Sequence, residues 1–114
     1  MMLGWRNKLD KAISAARMKS RGTNKDEYFT VDSFIELSGA PSREKVLQFV
    51  EEKIKIGELD VIYKVISPET RSVIEEYNSA SKIPEEIYDD SSGNYINIDP
   101  LSDIEIVFRV SRNG

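Results

Sequence analysis

Near the start of the chain, apolar residues recur at helical spacing. Trp5, Leu9, Ala12, Ile13 and Ala16 fall on one narrow stripe at about 100° per residue, flanked by Arg6, Lys8, Lys11, Arg17 and Lys19. The pattern predicts an amphipathic basic helix from Leu3 to Ser20, ended by the polar, glycine-containing run Ser20-Arg21-Gly22-Thr23-Asn24. Tyr28-Phe29 reads as a short extended segment. Thr30 is placed to N-cap a helix over 31–38 that Gly39 stops. Ser42 caps a second helix running through Val46, Leu47, Phe49, Val50, Ile54 and Ile56 to Gly57, a residue suited to the left-handed position past a helix end.

The period then changes from helical to alternating. Leu59, Val61, Tyr63 and Val65 alternate onto one face of a strand over 59–66. Ser67-Pro68 has the cap-then-proline form that starts a helix, with Val73, Ile74, Tyr77 and Ala80 as its buried side and Ile83-Pro84 as its break. Glu86-Ile87-Tyr88 and Tyr95-Ile96-Asn97-Ile98 flank Asp89-Asp90-Ser91-Ser92-Gly93-Asn94, which predicts a hairpin with a polar loop. A last strand over 103–110 carries Ile104, Ile106, Phe108 and Val110 on alternate positions. These four are expected to share a buried sheet face with Leu59, Val61, Tyr63 and Val65, against Val46, Leu47, Val50 and Ile54.

The stretch YFTVDSFIELSGAPSREKVLQFVEEKIKIGELDVIYKV resembles a winged helix-turn-helix: a short helix, a glycine-containing turn, a longer helix ended by glycine, then a strand. In that family the second helix of the pair, here 42–56, is the recognition helix. The chain departs from the family afterwards, because a helix and an extra hairpin over 67–99 separate the first strand from the last. The expected fold class is therefore α+β: a winged-helix-like domain over 26–114 with a small antiparallel sheet, preceded by the basic amphipathic helix of residues 1–25.

Charge sharpens this division. The net charge of −4 hides seven basic residues against one acidic in the first 25, or +6, which leaves −10 on the rest. Such a basic leading segment suits an acidic partner, an anionic surface or the acidic body itself. The chain has no cysteine and no histidine. Disulfides, thiol nucleophiles, thiolate metal sites and every histidine-based catalytic arrangement are thereby excluded. No run of about 18 apolar residues reads as a transmembrane helix, and charges spread through the first 20 residues argue against a secretory signal. The expected compartment is the cytoplasm.

Candidate chemistry is sparse. The adjacent carboxylates Glu51-Glu52, Glu75-Glu76, Glu85-Glu86 and Asp89-Asp90 are neighbours in sequence, and neighbours on a helix point about 100° apart. The run DDSSGN lacks calcium-loop spacing, and there is no phosphate-binding glycine motif. No enzyme activity, cofactor or metal is expected. The reading that follows is a protein-interaction, adaptor or regulatory module, with its partner or a second copy of itself engaged through Trp5, Leu9, Ile13, Arg6, Lys8 and Arg17 of the N-terminal helix. Alanines at 12 and 16 offer lipid little apolar area, so membrane-surface contact is disfavoured. The alternative is a DNA-binding regulator reading base edges through Arg43, Lys45 and Gln48, with Arg17, Lys19 and Arg21 on phosphates. Against it, the outward side of that helix also carries Glu44, Glu51 and Glu52, which phosphates repel.

Overall fold

The computed structural model describes residues 4–23 and 27–111. They form an α+β fold: α1 (Trp5–Thr23), β1 (Tyr28–Phe29), α2 (Val31–Ser38), α3 (Arg43–Lys55), β2 (Leu59–Ile66), β3 (Val73–Tyr77), a 3-10 turn (Ala80–Lys82), β4 (Glu86–Asp89), β5 (Asn94–Asn97) and β6 (Ile104–Val110). The predicted helix start at Leu3 lies outside the described residues. Four strands make one sheet in the order β1-β6-β2-β3, and β4 with β5 make a second of two strands. The chain divides into two units, residues 1–60 with 108–114, and residues 61–107.

In the first unit the helices begin and end where their capping residues dictate. Ser33 N–H donates to Thr30 Oγ1 at 3.0 Å while Thr30 N–H donates to Ser33 Oγ at 2.8 Å, a reciprocal cap that satisfies two otherwise orphaned donors. At the far end of α3, Glu58 N–H reaches Lys53 O and Gly57 N–H reaches Ile54 O, with Gly57 at φ 78°. That pair of bonds is a Schellman ending, and it needs the left-handed backbone that glycine adopts without strain.

The core of this unit is built from the predicted stripe of α1 and a set of rings. Leu9, Ile13 and Ala16 are buried, as are Phe34, Val46, Phe49, Val50, Leu59, Phe108 and Val110. Pairing of β1 with β6 sets Phe29 opposite Phe108. Phe34 stacks on both, with centroid separations of 4.9 and 6.2 Å. Leu47 lies 43% exposed, not in the core, and Phe49 takes the buried place. On a 3.6-residue period Val46, Phe49 and Val50 share one side, and Leu47 falls a quarter-turn past it. The helix α1 also runs beyond its predicted end, through Gly22 to Thr23.

In the second unit, tertiary pairing overrides the local signal after Ser67. The predicted helix is instead a turn followed by β3, which pairs antiparallel with β2 as Tyr63↔Tyr77, Lys64↔Glu76 and Val65↔Glu75, then slips by one residue at Ile66↔Val73. Ser67 Oγ does accept from Glu69 and Thr70 N–H as a cap would. The turn closes at once, however: Arg71 N–H bonds Ser67 O, Ser67 N–H bonds Ser72 O, and Arg71 sits at φ 63°, where no right-handed helix continues. Val73 is 49% exposed as a result.

The alternating pattern of the long strands is only half a burial pattern. Leu59, Val65, Phe108 and Val110 are buried as expected, but Val61, Tyr63 and Ile104 are half-buried and Ile106 is 49% exposed. Ile62, Ile66 and Val107 on the intervening positions are buried instead. The hairpin of β4 and β5 forms where predicted, with Tyr88↔Tyr95 as a cross-strand pair at 5.1 Å between rings.

Candidate functional site

The exposed isoleucine of β6 marks a concave feature of the second unit. Tyr63 of β2, Ile104 and Ile106 of β6, Ala80, Ile83, Pro84 and Glu85 of the segment entering β4, and Ile98 and Pro100 leaving β5 enclose a pocket of about 440 Å³. That is the size of a ligand-binding cleft, and its wall is of the aliphatic kind such clefts have. The two lining residues with polar side chains are Tyr63 and Glu85.

Local chemistry holds the walls in place. The 3-10 turn ends with Ile83 N–H on Ala80 O, and Pro84 follows, unable to extend it. Ile98 N–H donates to Glu85 O at 2.9 Å, continuing the β4–β5 ladder by one pair to the base of the hairpin. Pro100 sits in a turn fixed by two aspartates: Asp99 Oδ1 accepts from Leu101 N–H, and Asp103 Oδ2 accepts from Asp99 N–H. Asp103 is buried by this arrangement, and Leu101, one residue beyond the pocket wall, stands 95% exposed.

The unit around the pocket is strongly acidic. Residues 61–107 contain Lys64, Arg71 and Lys82 against ten carboxylates, a net charge of −7. One of the three cations, Lys64, pairs with Glu76 at 3.8 Å. Among the described residues no group of three or more carboxylates is arranged to hold a metal ion, and no helix is long and apolar enough to cross a membrane.

The residues singled out from sequence lie elsewhere, in the first unit. Leu9 and Ile13 are buried in that unit's own core, so α1 spends its apolar stripe within the unit, against α2. Trp5 packs edge-on against Phe49 at 6.1 Å. Arg6 lies over both rings and bridges to Glu52 at 2.8 Å. Lys53 completes the seam, bonding Asp10 at 2.9 Å and Glu58 at 3.0 Å beside the Phe49 ring. The bond to Asp10, then that to Glu58, raises its pKa above the ordinary lysine value against the opposing effect of burial. Lys8 is exposed, and Arg17 is half-buried, with Nε and Nη2 shielded and unbonded among the described residues. On α3, Arg43 is ion-paired with Asp32 of α2, and Lys45 and Gln48 are exposed beside Glu44 and Glu51.

The sequence reading therefore missed the pocket. Its signal was the pair of isoleucine–proline segments, Ile83-Pro84 and Ile98-Asp99-Pro100, that bracket the hairpin; read one element at a time, they are only a helix break and a turn. No family model, curated protein or solved structure matches the chain.

Proposed function

We propose that this protein is a non-enzymatic interaction module, an adaptor or regulator that binds a protein partner on a winged-helix-like scaffold. The observation that carries the reading is the 440 Å³ pocket, open and aliphatic, with a single carboxylate, that of Glu85, in its wall. General acid–base work on a substrate requires positioned proton donors and acceptors with matched pKa values, and a lining with one acidic residue and one tyrosine is a poor basis for it. An apolar cleft with few polar groups is instead suited to seating an apolar side chain, the usual centre of an interface. The scaffold reading rests on the run β1–α2–α3–β2, with β6 paired to β1 in place of a family wing strand.

Peptide selection from a random displayed library tests the proposal. The expected outcome is a set of mutually competing peptides with a shared aliphatic or aromatic anchor, all losing affinity for Ile106→Asp and for Ala80→Glu, two exposed positions of the pocket wall. Circular dichroism checks that both variants fold. Peptides that bind both variants as well as the parent protein would remove the pocket from the reading. Turnover of a nucleotide, peptide or glycoside by the purified protein, abolished in Glu85→Gln, would replace an interaction module with an enzyme.

A DNA-binding role has less support. Arg43 is committed to Asp32, and Lys45 and Gln48 stand among carboxylates that a phosphate backbone repels.

A further inference from the structure

We infer that the pocket takes a peptide segment in which a large aliphatic or aromatic side chain is flanked by lysine or arginine; this rests on reading the pocket as the interaction site. The apolar wall of Ile83, Ile98, Ile104 and Ile106 selects the anchor. Charge selects what flanks it. Glu85 is an exposed acidic residue of the lining, and a ligand that docks against its carboxylate removes water from it, a loss that a neighbouring cation offsets. The field beyond has the same sign. Over residues 78–107, which supply every wall residue except Tyr63, there are seven acidic residues against Lys82 alone.

The same charge argues against other occupants. A second copy of this chain would bring its own −7 unit to the site if the two pockets faced each other, and like charges across an interface repel. An anionic amphiphile such as a fatty acid would bring its carboxylate to a unit that already carries −7, and like charges repel. A peptide also makes use of Leu101, which stands fully exposed one residue past Pro100 and extends the apolar surface beyond the pocket itself. Like-charge repulsion excludes acidic segments, so specificity comes from rejection as much as from attraction.

The test uses the full chain, labelled at isoleucine methyl groups, and one selected peptide whose anchor-flanking positions are rewritten as lysine, serine or glutamate. The lysine form is expected to shift the Ile98, Ile104 and Ile106 methyl resonances and to bind about tenfold tighter than the serine form at low salt, with the glutamate form weaker still. Raising the salt to about 300 mM should narrow the gap, because rim charges are screened. Glu85→Gln should reduce the advantage of the lysine form over the serine form by about threefold, because the lysine form loses its partner and the serine form no longer strips water from an unpaired carboxylate. Equal binding of the three forms, or preference for glutamate, overturns the inference and leaves the pocket as an interaction site. A selection that yields no pocket-dependent peptide overturns both.

Discussion

The hydroxyl of Ser67 donates to Oδ2 of Asp89 at 2.5 Å across 22 positions of the chain, and both side chains are buried. Ser91 donates to the other carboxylate oxygen twice, from its backbone N–H at 3.0 Å and its hydroxyl at 2.5 Å. A buried charge is tolerable when its lone pairs are occupied, and here they tie the turn before β3 to the tip of the β4–β5 hairpin. Ser67, followed by the bond from Ser91, pulls the Asp89 pKa from 3.8 to about 2, against the opposing effect of burial.

A carboxylate whose pKa is lowered by folding stabilises the fold above its unfolded pKa and loses that contribution as pH falls toward the folded value. For Asp89 the window runs from about pH 4 down to about pH 2. Asp89→Asn should melt at a lower temperature than the parent at pH 7, and the difference should shrink across that window. A constant difference from pH 7 to pH 2 would mean that the ionised carboxylate is not what the site holds.

The burial of Leu9 and Phe49 makes α1 part of the cooperative core of its unit. Leu9→Ala should cost about 2–5 kcal/mol and Phe49→Ala about 3–5 kcal/mol, measured by urea unfolding with unchanged denaturant slope. A Leu9→Ala loss below about 1 kcal/mol would mean that α1 frays independently of the helices it covers.

Trp5 is the sole tryptophan, and its edge-on contact with Phe49 is intramolecular. Its fluorescence should therefore be blue-shifted and independent of protein concentration, and should move to the red in Phe49→Ala. Loss of the shift on dilution of the parent protein would indicate that a second copy, not α3, shields the indole.

Duplex DNA provides a direct comparison of the two functional readings. The expected result is no retention on mixed-sequence DNA at about 50 mM salt, since a regulator with several phosphate contacts binds strongly there and is released steeply as salt rises. Salt-sensitive retention that Lys45→Ala weakens would make α3 a recognition helix.

The Tyr88–Tyr95 pair is a ring contact across a two-stranded sheet, an element that is marginal by itself in water. Tyr95→Ala should raise amide hydrogen exchange throughout β4 and β5, with a loss of about 0.5–1.5 kcal/mol beyond the buried area. Unchanged protection of those amides would leave the Asp89 bonds as the sufficient anchor.

Sequence determined the parts of this protein whose information is local. Thr30 with Ser33, Ser42, Gly39 and Gly57 placed the ends of α2 and α3, because a cap is a contact between residues three to five positions apart. The spacing of Leu9, Ile13 and Ala16 identified a buried stripe, since 3.6-residue periodicity fixes which side chains share a face. The hairpin around Gly93 was legible for the same reason, its polar loop lying between two short alternating runs.

What covers each face was decided only by tertiary structure. The amphipathic pattern of α1 names no partner, and the fold supplies one in Phe49, Glu52 and Lys53, residues more than 40 positions away. Val73-Ile74-Glu75-Glu76-Tyr77 has the apolar spacing of a short helix and becomes a strand because β2 offers it a ladder of hydrogen bonds. Ile104 and Ile106 alternate like core residues, yet they line an open pocket. Alternation assigns residues to a face of a sheet, whereas burial requires another layer on that face, and no run of residues within one strand encodes where the next layer ends.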